Sequence, residues 1–471
     1  MRKFSLKTVL FTLIISMFAA SSICAYAVDI EENSFSKKEI KEDVEFLFNK
    51  LEKIHFNLYF DSNKEEIKEK LESMMNNMDN SVSDLEFYKR IVPIISMLND
   101  GHTRISLPDS YIEKLQLSAN LIPIQINVSE EKLFIDNILT EENFDKYKGC
   151  EVLSINSKAG KEIYSEVKNY VFGKQEAYRN TCISKNFKAL YYLNNDLNDN
   201  YTLELMDFNN NKVKLNLKGI SNSECISFLE NKKNDTQSKM YEYKVIDENI
   251  ALIEINSFNT DFDSFKGFLD STFEDINNKN IKELVVDLRK NGGGDATLGD
   301  LFIEYIYDGK YKRIGKYAFK ITEEIVDHYE KNHWMNEEQI KELRKNIGQN
   351  YEAYKIQASR SFTEKPVFDG DTYFLIGNNT FSAATMLSSI VKDYNIGYLI
   401  GEETGGLATG HTNSYSFNLP NTKLLTGVSF QYLARPNGLD TKRGVLPDYY
   451  EKDIEKDALD IAVEIIKSKS Y

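Results

Sequence analysis

Four short stretches hold the residues whose types and spacing could do chemistry. They are Asp100-Gly101-His102-Thr103, Asp287-Leu288-Arg289-Lys290-Asn291-Gly292-Gly293-Gly294, Gly377-Asn378-Asn379-Thr380-Phe381-Ser382-Ala383-Ala384 and Gly401-Glu402-Glu403-Thr404-Gly405-Gly406. A serine attacks a carbonyl carbon at neutral pH only when a neighbour takes its proton, and imidazole titrates in the right range. Ser382 and His102 are the residue types for such a pair. The oxyanion formed by that attack must be held by N–H groups. Three consecutive glycines let the backbone turn sharply and present them, so Gly293, Gly294 and the Ala383 N–H are the candidate oxyanion hole.

Each feature also has a plainer reading. Ser382 precedes a helical pattern that starts at Ala383, where serine is a favoured N-cap. The triple glycine is equally a tight turn, and with no Gly-Lys-Ser/Thr following it is not a phosphate loop. Among the five histidines, His102 taken alone reads as structural more readily than as catalytic. His411, just after Gly405-Gly406, is a rival base. His55 ends the first helical pattern and reads as a packing residue, and His328 and His333 read as surface residues. No histidine or cysteine has metal-ligand spacing, and the chemistry needs no metal or organic cofactor.

The elements that must position these residues follow from periodicity. Ser36 with Glu39 forms a capping box, and Ile40, Val44, Leu47, Leu51 and Ile54 follow at helical spacing. Two further amphipathic helices run to residue 98, Pro93 being expected to kink the last. These make an N-terminal helical domain at 28–118. Short β-rich runs separated by polar turns, such as Tyr201–Leu205, mark a middle domain at 119–235. From 236 to 471 strands and helices alternate, Ile250–Ile255, Glu283–Asp287, Tyr373–Ile376 and Gly397–Gly401 being the strands, which predicts an α/β fold with a largely parallel sheet. The charged stretch 311–362, helical near 336–344, reads as a surface insertion over that sheet or its active site.

The first residues have a separate character. Arg2, Lys3 and Lys7 precede an apolar run from Val9 to Ala20 and then Ala25-Tyr26-Ala27. This is the pattern of a secretory signal peptide spanning 1–27, cleaved after Ala27. Cleavage takes the formal charge from −15 to −18, because those three cations leave and no acid does. So acidic a chain is repelled by phosphate backbones and anionic lipid, which argues against nucleic-acid and membrane partners. The expected location is extracellular or at the cell wall. Cys150, Cys182 and Cys225 remain and read as packing residues. Oligomeric state is not encoded legibly.

Taken in order, the four stretches resemble motifs of the tail-specific (C-terminal processing) serine peptidase family. The resemblance extends over most of the chain after residue 27. It implies a crotonase-like α/β core and a PDZ-like middle domain, in which Gly149–Asn156 looks like a PDZ-like strand and turn. It also implies a protein or peptide substrate. The Ser-Lys branch has a lysine where this chain has Leu407. The chain is more similar to the tricorn-like branch, in which a histidine from the early segment is the base, and His102 stands in that place. That branch has a glutamate shortly before a Gly-Val-x-Pro-Asp segment, which here is Gly444–Asp448. Thr441 and Lys442 fill the corresponding slots, so the adjacent Asp440 becomes the candidate third member. The expectation is a serine endopeptidase acting through an acyl-enzyme on Ser382. The alternative is an inactive peptide- or ligand-binding relative on the same fold.

Overall fold

The apolar runs of the C-terminal half pair into one six-stranded sheet, in the order Tyr241–Asp247, Ile250–Ile255, Glu283–Asp287, Asp371–Ile376, Tyr398–Gly401 and Tyr449–Tyr450. The first pair is antiparallel and the others are parallel. Alternate side chains of a strand face opposite ways. Leu284, Val286, Phe374 and Ile376 therefore pack under the helices Phe262–Asn278, Ala296–Ile306 and Ala383–Tyr394. Val285, Tyr373 and Leu375 pack against Ala458, Ala462 and Ile466 of the C-terminal helix Ala458–Lys469. Burial on both faces is why these strands read as continuous apolar runs. The structure, a computed structural model, describes residues 33–140, 144–232, 239–357, 366–451 and 456–469. The predicted signal segment 1–27 lies outside the described residues.

The parallel sheet decides where the site can be. Strands Glu283–Asp287, Asp371–Ile376 and Tyr398–Gly401 are neighbours and run the same way. The stretches that follow them, 287–294, 377–384 and 401–406, thus leave one edge of the sheet side by side, at the carboxyl ends where open α/β sheets build sites.

An antiparallel sheet delivers the remaining stretch. Its strands are Asn350–Gln357, Lys312–Lys320, Leu425–Ala434 and Gly410–Asn418, and Arg104–Ile105 pairs with Thr426 and Gly427 of the third. This pairing anchors the segment that begins with His102. The stretch 312–357 is therefore built into a sheet rather than laid over the site. Its helix Glu323–Lys331 packs on the N-terminal helix Lys37–Ile54 through Glu324, which accepts from Lys50 at 2.7 Å and Lys53 at 2.8 Å. The buried carboxylate of Asp43 makes a second tie, accepting the Thr422 N–H at 2.9 Å and its hydroxyl at 2.6 Å. His328, read as a surface residue, is half-buried with its ring edge-on to Trp334, Tyr415 and Phe430.

The N-terminal helices form as expected, with the Ser36–Glu39 capping box closed and Pro93 inside Asp84–Ser96. The middle strands Ile124–Ser129, Lys132–Ile138, Glu151–Ile155, Asn200–Met206 and Lys212–Lys218 form an antiparallel sheet. The helix Glu176–Tyr191 packs against the first of them, where Ser184 Oγ accepts the Val128 N–H at 3.1 Å. One continuous apolar core joins this sheet, the N-terminal helices and the antiparallel sheet. Among the described residues Cys150, Cys182 and Cys225 are free thiols, with Cys150 and Cys225 buried.

Candidate active site

Ser382 occupies the N-cap position of the helix Ala383–Tyr394, yet its side chain makes no capping hydrogen bond. Its backbone is at φ 51° and ψ −119°, a region that a residue with a Cβ adopts only when its surroundings force it. Thr380, fully buried, donates from Oγ1 to the Leu288 carbonyl at 2.9 Å and accepts the Gly377 N–H at 3.0 Å. The Phe381 N–H donates to the Asn291 carbonyl at 3.0 Å, and the Gly406 N–H to the Thr380 carbonyl at 3.1 Å. Three of the candidate stretches thus lock one another, and the locked turn holds the serine hydroxyl out from the helix end. The capping reading fails, because the hydroxyl is aimed elsewhere.

It is aimed at His102. The imidazole Nε2 lies 3.3 Å from Ser382 Oγ, within reach for proton transfer. Burial pushes the His102 pKa below its usual value, with nearby Arg104 adding to this. Asp100 and a hydrogen bond to the His411 main chain pull the other way without overcoming it. The ring is therefore neutral at neutral pH, the form a base needs. Phe381 stacks on the ring with centroids 4.8 Å apart.

Asp100 organises the base. Its Oδ1 accepts the His102 main-chain N–H at 2.9 Å. Its Oδ2 accepts from Thr103 Oγ1 at 2.6 Å, from the Ser429 hydroxyl, and from His55 Nε2 at 3.2 Å. Burial alone would raise the carboxyl pKa. The hydrogen bond from His55, with the charges of His55, His102 and His411, outweighs it and holds Asp100 well below the usual carboxylate range. A carboxylate with several donors stays ionised even when buried. His55 is thus more than packing: it is buried and bonded to this acid.

The triple glycine abuts the nucleophile. A Cβ built on Gly293, whose φ is +101°, would lie 2.7 Å from Ser382 Cβ and 3.0 Å from the Ala383 nitrogen. No side chain fits there. The Gly293 N–H, one of the expected oxyanion donors, is occupied by Asn291 Oδ1 at 2.8 Å, since the asparagine closes its own turn. Among the described residues the Gly294 and Ala383 N–H groups have no such acceptor. Ala383 is the first helical residue, where N–H groups lack intrahelical partners and the helix dipole favours an anion.

Two other expectations come out differently. Asp440 is not beside His102: its carboxylate pairs with Lys442 Nζ at 3.3 Å and accepts the Lys442 N–H at 3.0 Å, a local turn that keeps it in its own loop. His411 shares the cleft but not the serine. Its ring stacks on His55 with centroids 4.3 Å apart, and burial, helped by the His55 charge, lowers its pKa to about 3. The cleft itself has apolar walls, including Leu58, Leu98, Phe381, Met386, Leu407 and Leu433. Among the described residues no group of His, Cys, Asp and Glu could hold a metal ion. Asp100 stood in the sequence beside His102 and could have been singled out as its charge partner. Thr380 and Tyr178, which also lines the cleft, carried no signal.

Residues 249–451 match the model of peptidase family S41. The chain is similar in fold to mature CPAF, with a TM-score of 0.61 at 13% identity over 92% of this chain and 96% of that one. Mature CPAF complexed with lactacystin gives 0.62 at 13% identity, covering 92% and 97%. The photosystem II D1 C-terminal processing protease gives 0.44 at 15% identity over 88% and 92%, a likeness too loose to argue from. No curated protein matches the chain. The chain thus carries a peptidase family S41 domain at residues 249–451.

Proposed function

We propose that the protein is an exported serine endopeptidase in which Ser382 is the nucleophile and His102 its general base. The observation that carries this reading is the 3.3 Å separation of His102 Nε2 and Ser382 Oγ. Neutral His102 takes the Ser382 proton as Oγ attacks the peptide carbonyl carbon. The Gly294 and Ala383 N–H groups face the developing oxyanion, with Gly293 shaping the turn rather than donating. Collapse breaks the C–N bond, and protonated His102 gives its proton to the departing amine. Water, deprotonated by His102, then attacks the acyl-enzyme, releasing the carboxylate product and restoring Ser382. No step requires a metal or cofactor.

The reading extends to the finer architecture. The parallel sheet with its flanking helices serves as a crotonase-like core, and the antiparallel middle sheet as a PDZ-like unit at 119–235. The histidine base aligns the chain with the tricorn-like rather than the Ser-Lys branch, since Leu407 stands where a lysine would be. Export rests on the pattern of residues 1–27. Digestion of an unfolded protein such as casein tests the mechanism. Ser382→Ala and His102→Ala are expected to lose activity by about 10⁶-fold, as members of one unit do. Retention of more than a tenth of wild-type activity by both variants sinks it.

A further inference from the structure

Phe381 connects the nucleophile to the base, being adjacent to Ser382 in sequence and stacked on His102. Its other face is covered by Tyr178, with ring centroids 4.4 Å apart and planes within 7° of parallel. Tyr178 comes from the first turn of Glu176–Tyr191, the helix that packs on the middle sheet. It lies outside residues 249–451, the part of the chain that the peptidase family model matches.

The ring fills a slot left by three glycines from separate segments. A Cβ built on Gly173 would lie 2.9 Å from Tyr178 Cδ1, and one on Gly405 2.7 Å from Tyr178 Cδ2. One on Gly101 would lie 3.5 Å from Tyr178 Cε1 and 2.9 Å from Phe381 Cζ. Gly101 adjoins His102, and Gly405 belongs to the loop whose next residue, Gly406, bonds the Thr380 carbonyl. The base segment, the nucleophile segment and this loop therefore all close on one aromatic ring. Burial, with Cys182 one turn further along the same helix, pushes the phenol pKa well above its ordinary value.

We propose that Tyr178 is a positioning residue of the active site, holding Phe381 flat so that Ser382 and His102 stay within proton-transfer distance. The middle region thereby supplies a part of the catalytic geometry that the family domain lacks. The proposal rests on the reading of Ser382 and His102 as nucleophile and base. Without the Tyr178 face, Phe381 can swing into the vacated slot, carrying the serine turn away from His102 and letting water reach the imidazole. A displacement of about 1 Å between reacting groups costs on the order of 10²-fold in rate.

The test compares the full chain with Tyr178→Phe, which keeps the stacking face, and with Tyr178→Ala and Tyr178→Leu, which remove it. The second of these keeps bulk if the alanine variant does not fold. Two readouts are taken. One is the rate of inactivation by a fluorophosphonate. The other is the NMR titration of the His102 ring, assigned as the signal missing from His102→Ala. The expected result is inactivation about 10²-fold slower in Tyr178→Ala or Tyr178→Leu. With it comes a His102 midpoint shifted up towards the ordinary 6.5, and a phenylalanine variant within about threefold of wild type. Wild-type rates in the variants lacking the face would overturn the proposal while leaving the serine mechanism intact. If the wild type itself does not react, the mechanism fails and the titration decides alone. A midpoint moved by the alanine or leucine change and restored in Tyr178→Phe upholds the positioning role, and an unmoved midpoint ends it.

Discussion

Asp100 reaches His102 through the main chain: its Oδ1 accepts the His102 N–H at 2.9 Å, while its negative charge pulls the imidazole pKa upward. The acid therefore fixes the base by its backbone and acts on the ring through its charge. This arrangement does not need the carboxylate expected at residue 440. His55, Thr103 and Ser429 hold the acid in place.

Replacing Asp100 by asparagine removes that charge. The variant is expected to lose about 10²-fold in kcat/KM, since the imidazolium formed during attack is no longer stabilised. It should also lose about 1–3 kcal/mol of stability, the usual cost of leaving buried hydrogen-bond donors without a good acceptor, because His55, Thr103 and Ser429 all donate to the carboxylate. The pH profile separates the two effects. Burial already holds His102 below its ordinary value of 6.5, so the acid limb of wild-type kcat/KM should fall below that pH. The negative charge of Asp100 raises the His102 pKa, so in Asp100→Asn the limb should move lower still. Pre-steady-state assays from pH 4.5 to 8 measure both limbs.

Asp440→Asn is expected to change kcat/KM by less than about twofold, because its carboxylate faces Lys442 and surface pairs of this kind contribute about 0–1 kcal/mol. A drop of tenfold or more would restore Asp440 to the catalytic machinery.

Gly293→Ala inserts a methyl group 2.7 Å from Ser382 Cβ at a backbone φ of +101°. Both the clash and the strained backbone act on the serine turn. Activity is expected to fall by about 10²–10³-fold, comparable to losing an oxyanion donor, with a smaller loss in Tm. Gly292→Ala makes the matched control, since a Cβ there meets nothing within 4 Å.

His411 supplies a stability prediction with a definite sign. Its folded pKa is about 3, well below the ordinary 6.5 of the unfolded chain. Between those values the unfolded state binds a proton that the folded state refuses, so stability must fall as pH drops through that window, by about 1.4 kcal/mol per unit from this group. His411→Gln cannot take up that proton. Urea denaturation at pH 7, 5.5 and 4.5 should show a shallower decline in the variant, and parallel declines would contradict the assignment.

The parallel strands were legible in the sequence because burial on both faces leaves unbroken apolar runs, and Glu283–Asp287 and Asp371–Ile376 appear as such. The capping box at Ser36 was legible because it is a local contact. Ser382, His102 and the glycine run stood out by residue type and order, although Ser382 fitted an N-cap equally well until its φ, ψ and missing cap bond were seen. The role of 312–357 was hidden, because β pairing with 425–434 joins residues about a hundred positions apart and leaves no local mark. Asp440 is near the expected slot in sequence, but a local ion pair with Lys442 holds its carboxylate in its own turn, a contact that order along the chain does not reveal. Tyr178 gave no sign, since stacking on Phe381 couples residues that share no periodicity.

The most direct test is to treat the folded full chain with a fluorophosphonate and locate the adduct by mass spectrometry, in parallel with Ser382→Ala and His102→Ala. The account predicts a single phosphonylated residue, Ser382, with no labelling in Ser382→Ala and at least about a hundredfold slower labelling in His102→Ala. A folded wild type that takes no label, or an adduct that persists in Ser382→Ala, would contradict it.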